Sequence, residues 1–186
     1  MVNVSEYIMG FIAGMGTKEI FYISGGGNRH LAKALYDNKN LDYVCTHHEQ
    51  ALSMAVEAYS RVKGFGVGLV TTGPGVTNTI TGLYGAWIDS TPCLFISGQV
   101  NKNHTIGHSG LRQVGVQEVD AISLVKSITK YAHMLTEPSD IRYHLEKAVA
   151  IARGGRNGPV WLDIPLDVQN AKINENDLRS YVSKVE

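Results

Sequence analysis

The sequence predicts an α/β protein: three layers, with a mostly parallel central sheet of about six strands and helices on both faces. Three observations predict it. Segments with helical spacing alternate with short apolar runs along the 186 residues. The runs are continuously apolar, as in parallel strands covered on both sides, rather than alternating apolar and polar. The 20 glycines cluster, and several clusters fall where a strand should end, which is where such sheets gather ligands.

The elements follow in order. Val4, Tyr7, Ile8, Phe11 and Ile12 recur at helical spacing, and Gly14 and Gly16 can end that helix. "EIFYIS" (19–24) reads as a buried strand, and "GGGNRHLAKALYDN" turns tightly into a second helix. "DYVCT" (42–46) is a short strand before a helix from about His47 to Lys63. "VGLVTT" (67–72) is a buried strand, followed by the turn "GPG" and a helix to about Ile88. "PCLFISG" (92–98) is a fourth strand. A long polar loop, "QVNKNHTIGHSGLRQVG", then precedes a short helix near 118–126. "KYAHML" is a fifth strand. Pro138 opens a helix to about Arg153, and "PVWLDIP" (159–165) is the sixth strand. The organisation expected is one domain over residues 1–170, with 171–186 a polar tail or the start of a linker.

Composition excludes several classes. The 17 basic and 17 acidic residues balance, which argues against a nucleic-acid-binding or membrane-surface protein. No run approaches membrane-spanning length. The N-terminus lacks the basic start of a signal peptide, and Glu6 interrupts its apolar stretch. The two cysteines, Cys45 and Cys93, fall in apolar runs and read as small core side chains, with no disulfide framework. A cytoplasmic location is expected.

Taken singly, the motifs leave their readings open. Thr46 and Glu49 have the spacing of a helix capping box, yet Glu49 is also placed to act as an acid–base group. "GGGN" can cradle an anion or simply turn the chain. It is not the dinucleotide fingerprint, because Arg29 and His30 occupy the later positions. "TTGPGVTN" looks like a phosphate loop but has no lysine. Cys45, His47 and His48 match no common zinc pattern, so no metal site is expected on this chain.

Together, the segments resemble the pyrimidine-binding (N-terminal) domain of thiamine diphosphate-dependent enzymes, and within them the acetolactate synthase-like group. The resemblance rests on His48–Gln50, Thr72–Asn78, Asp89–Pro92 and Ser97–Gln99, in that order. "VQEVD" (116–120) is similar to the group's later Phe-Gln-Glu element, with valine for phenylalanine. "GPVWLDIPLDVQ" (158–169) resembles its closing strand. The resemblance implies that Glu49 is catalytic. Its carboxyl would bond a ring nitrogen of the cofactor's aminopyrimidine and so promote loss of the thiazolium proton. This asks for a carboxyl shielded from water, as the end of a buried strand can provide. The resemblance also implies cofactor-binding roles for Gly26, Gly27, Gly73, Pro74, Gly75 and Asn78, and substrate-side roles for His48 and Gln117. His104 and His108 are weaker candidates. Thr71 stands where some aryl-oxoacid decarboxylases carry a catalytic histidine.

The implied reaction is decarboxylation of a 2-oxoacid with carboligation. The family's magnesium and diphosphate element, a Gly-Asp-Gly followed by Asn-Asn, does not occur in the sequence. The resemblance therefore implies Mg2+ held by another domain, on the same or another chain, and FAD in a middle domain where one is used. It implies a homodimer or higher oligomer through the cofactor interface, and a chain inactive by itself. Two origins follow: an N-terminal fragment of a longer enzyme, or the small subunit of a split 2-oxoacid decarboxylase. The competing class is a non-catalytic nucleotide-binding or regulatory module.

Overall fold

The structure, a computed structural model, describes residues 1–182. In chain order the elements are β1 (Val2–Asn3), α1 (Val4–Gly14), β2 (Glu19–Tyr22), α2 (Arg29–Asp37), β3 (Asp42–Cys45), α3 (Glu49–Lys63), β4 (Gly66–Val70) and α4 (Pro74–Ile88). They continue with β5 (Cys93–Gln99), α5 (Ala121–Val125), β6 (Tyr131–Met134), α6 (Ile141–Arg153), β7 (Val160–Pro165), α7 (Leu166–Gln169) and β8 (Lys172–Ile173). Six strands form one sheet in the order β3-β2-β4-β5-β7-β6, and every pairing in it is parallel.

Local chemistry explains the element ends. Asn3 accepts the Glu6 N–H and the Glu6 carboxylate accepts the Asn3 N–H, a complete capping box that starts α1. Gly64, at φ 92°, closes α3 in the left-handed region that glycine enters without steric cost. Pro74 occupies the first turn of α4, where no N–H is needed.

Helices cover both faces, so the molecule has two cores. On one face Ile8, Ile12, Leu31 and Leu145, from α1, α2 and α6, pack on Ile20, Leu69 and Leu162. On the other, Leu52, Val56, Leu83 and Val125, from α3, α4 and α5, pack on Phe95 and Trp161. Those two rings stack with centroids 5.6 Å apart.

All six expected strands are present, but not all are buried. β4, β5 and β7 are buried throughout. β3 is an edge strand, and all four of its residues are exposed. This corrects the reading of Cys45 as a core side chain: Cys45 is exposed, while Cys93 is buried. An apolar run marks a strand, but only its place in the sheet decides whether helices cover it. Residues 171–178 also pack on the body. β8 pairs antiparallel with β1, Val2 against Ile173, and Leu178 is buried.

Candidate active site

Parallel strands send all their carboxyl ends to one side of a sheet. Here β3, β2, β4 and β5 are consecutive neighbours, so the segments that follow them stand side by side. Those segments are His47–Glu49, Gly25–Gly27, Thr71–Asn78 and the loop after Gln99. The sequence-predicted residues fall on this one rim.

Glu49 is not in a capping box with Thr46. Helix α3 begins at Glu49, and its N-cap is His48, whose Nδ1 accepts the Gln50 N–H at 3.1 Å. The Thr46 hydroxyl instead donates to the His48 carbonyl, at 3.1 Å. The Glu49 carboxylate points across to α4, where Oε2 accepts from Asn78 Nδ2 at 3.0 Å. Among the described residues that is its only hydrogen bond, so Oε1 keeps its acceptor capacity. Glu49 sits in the first turn of a 15-residue helix, where the helix dipole favours a negative charge. The side chain is half-buried, beside exposed His48 and Gln50. The shielding expected from a buried strand is therefore only partial, because β3 is an edge.

The glycines divide into two kinds. A Cβ on Gly25 would lie 2.5 Å from Thr71, and one on Gly27 would lie 3.0 Å from the Thr71 hydroxyl. The Gly27 N–H donates to that hydroxyl, at 3.1 Å, and the Gly27 carbonyl accepts from Gln169 Nε2 at 2.7 Å. Gly27 thus serves the packing of its turn. A Cβ on Gly26 would meet nothing within 4 Å, so Gly26 is the one that leaves its backbone open. Gly73 has φ 58°, and a Cβ there would lie 2.1 Å from the Gln117 carbonyl oxygen. The turn and Gln117 are therefore in backbone contact. Gln117 is exposed and itself has φ 59°, a left-handed conformation that costs a non-glycine residue about 1 kcal/mol or more. Pro74 is exposed and Gly75 buried.

His48 has one ring nitrogen committed to its cap, with Nε2 not so engaged. His104 and His108 are exposed in the loop between β5 and α5. Neither makes a side-chain hydrogen bond among the described residues. Among those residues no group of three or more His, Cys, Asp or Glu side chains gathers as a metal site would require.

The sequence reading passed over a buried polar layer behind this rim. Asp163 lies in β7 at 1% exposure, and burial raises its carboxyl from 3.8 to about 7. Hydrogen bonds from Ser97 and Gln99 oppose that rise, and the Asp120 and Glu118 charges add to it. Glu118 is also buried. Its two oxygens accept the Ile106 N–H at 2.6 Å and the Val114 N–H at 3.1 Å, which pins the long loop. Between these carboxyls lies a cavity of about 200 Å3, lined by Gln99, Ile106, Glu118, Met134 and Asp163. A signal was available in the sequence: Asp163 interrupts a strand that is otherwise apolar, and a carboxyl there must find partners.

Residues 2–124 match the sequence model of the family described as "Thiamine pyrophosphate enzyme, N-terminal TPP binding domain". The chain is 33% identical over 172 residues to the acetolactate synthase large subunit of Lactococcus lactis, covering 92% of the chain and 29% of that protein. It is 37% identical over 171 residues to a probable acetolactate synthase large subunit of Methanocaldococcus jannaschii, covering 91% and 28%. With the acetolactate synthase large subunit of Corynebacterium glutamicum it shares 38% identity over 156 residues, covering 83% and 24%. The chain spans about a quarter of the length of the curated relatives it matches.

Proposed function

The chain belongs to the family of thiamine pyrophosphate enzyme N-terminal, cofactor-binding domains and is homologous to acetolactate synthase large subunits; from that premise we propose that Glu49 holds the aminopyrimidine half of thiamine diphosphate for 2-oxoacid decarboxylation with carboligation. The observation that carries this is the Glu49–Asn78 contact, at 3.0 Å. It joins two of the candidate residues across the rim and leaves one carboxylate oxygen for a ligand.

The residues fit such a ring. A planar aminopyrimidine offers ring nitrogens to a carboxyl and a flat face to backbone. Glu49 supplies the carboxyl, Asn78 fixes its orientation, and Gly26 and the Gly73–Gly75 turn supply surface without side chains. When bound, the cofactor provides a carbon nucleophile for the carbonyl of a 2-oxoacid. This chain's part is to hold a proton between Glu49 Oε1 and a ring nitrogen, and to keep that carboxyl aimed. Half-buried Glu49 does this best once water is excluded, and the missing cover is assigned to another domain or a partner protomer. That cover would also hold the magnesium ion and diphosphate, with any flavin in a middle domain. On this reading the chain alone turns over no 2-oxoacid, and the working unit is a dimer or larger. On the same reading His48 and Gln117 are the substrate-side residues, and acetolactate formation from pyruvate is the leading reaction.

The test is a map of backbone amide shifts as thiamine diphosphate and magnesium are added to the chain. Changes should concentrate at Gly26, Glu49, Gly73, Gly75 and Asn78. Changes confined to another surface, or the same rim responding to a nucleotide instead, would overturn the proposal.

A further inference from the structure

The side-chain amide of Gln99 makes every hydrogen bond an amide can make. Oε1 accepts from the Thr72 hydroxyl at 2.7 Å and from the Val100 N–H at 3.0 Å. Nε2 donates to the Val119 carbonyl at 2.9 Å and to Asp163 Oδ2 at 3.0 Å. Gln99 is 1% exposed, Thr72 3% and Asp163 1%; the bonds to Thr72 and Asp163 are buried and those to Val100 and Val119 part-buried.

The direction of the amide is fixed from behind. Trp161 Nε1–H donates to Ser97 Oγ at 2.8 Å. The Ser97 proton is therefore left to donate to Asp163 Oδ1, at 2.6 Å. Asp163 then presents its second oxygen to Gln99, beside the Val119 carbonyl, an acceptor that only the amide nitrogen suits. Turning the amide over would set its oxygen against the Asp163 and Val119 oxygens, and its nitrogen against the Val100 N–H.

What the amide joins are two pieces of the candidate site. Thr72 immediately precedes Gly73. Val119 is two residues from Gln117, whose carbonyl oxygen sits where a Gly73 Cβ would be. Gln117 also holds a positive φ of 59° that its neighbours must sustain. We propose that Gln99 is a positioning residue: one buried amide that registers the Thr72–Gly75 turn against the Gly115–Val119 segment, so that turn and loop form one rigid wall. What the wall is for rests on the cofactor reading above. Its existence does not.

The test is amide hydrogen exchange on the chain without ligand. In Gln99→Met, which keeps the volume and loses all four bonds, exchange should quicken by about fivefold in both 72–78 and 104–119, the loss of one ordinary hydrogen bond. Exchange in α6 should not change. Gln99→Glu separates hydrogen bonding from space filling. Two carboxyls in contact share a proton, so the introduced carboxyl can donate at low pH and cannot at high pH. After correction for intrinsic rates, this variant should lie closer to the unaltered chain near pH 5, where its one carboxyl proton restores a donor bond, than near pH 8. A third reading needs no variant: the Gln99 side-chain amide protons of the unaltered chain should exchange far more slowly than those of an exposed glutamine. Identical behaviour of the two variants at every pH, a response in one segment only, or a fast-exchanging Gln99 amide would each overturn the proposal. Loss of the thiamine diphosphate response with these outcomes intact would instead count against the cofactor reading alone.

Discussion

Glu49 and Asn78 are 29 positions apart, and each belongs to the first turns of a different helix. Their contact was not legible in the sequence, because the spacing of Thr46 and Glu49 offered a local partner that the fold does not use. The helix starts at Glu49 rather than before it, and this later start frees the carboxylate. The glycines make the same point at single-residue scale. Gly26→Ala should fold with a change under about 0.5 kcal/mol, since its Cβ meets open space. Gly73→Ala should cost about 2–3 kcal/mol, from the φ of 58° and the Gln117 oxygen 2.1 Å away. Urea denaturation of both variants checks this, and equal losses would show that the contact between turn and loop does not hold.

At the scale of elements, the six strands were legible because apolar runs of four to seven residues between turn signals are specific. Which of them lie at the edges was not, because edge position depends on strand order. β3 shows the consequence: Tyr43 and Val44 are 47% and 42% exposed. The pairing of β1 with β8 escaped for a related reason. Two-residue strands at opposite ends of the described chain leave no periodic pattern. The cysteines report edge and centre directly. A thiol reagent should label Cys45 in the native chain and spare Cys93, whose thiol burial also pushes up. Rapid labelling of both without denaturant, or of neither, would contradict the sheet order.

At the scale of the whole molecule, a sheet with helices on both faces delivers its chemistry to one rim. Most of the residues that carry the family resemblance lie on that rim or directly behind it: Glu49, the Gly73–Gly75 turn, Asn78 and Gln117 in front, Gln99 behind; Asp89–Pro92 instead leads into β5 at the opposite end of the sheet. Motif order along the chain was enough to point to the site. It could not show the buried Gln99–Asp163–Ser97 layer that braces it, because those bonds link β5 to β7 across 64 and 66 positions. Nor could it show that Glu49 stands half-buried beside exposed His48 and Gln50 at an edge strand. The most direct measurement uses thiamine, which has the aminopyrimidine ring and lacks the diphosphate. Titrated into the chain and followed by nuclear magnetic resonance, it should shift Glu49 and Asn78. Glu49→Gln should bind it at least about tenfold more weakly, the worth of a hydrogen bond to a charged group, with an unchanged fold. Equal affinity in the two chains, or no response at Glu49 in the unaltered one, would contradict the assignment of Glu49 to the cofactor ring.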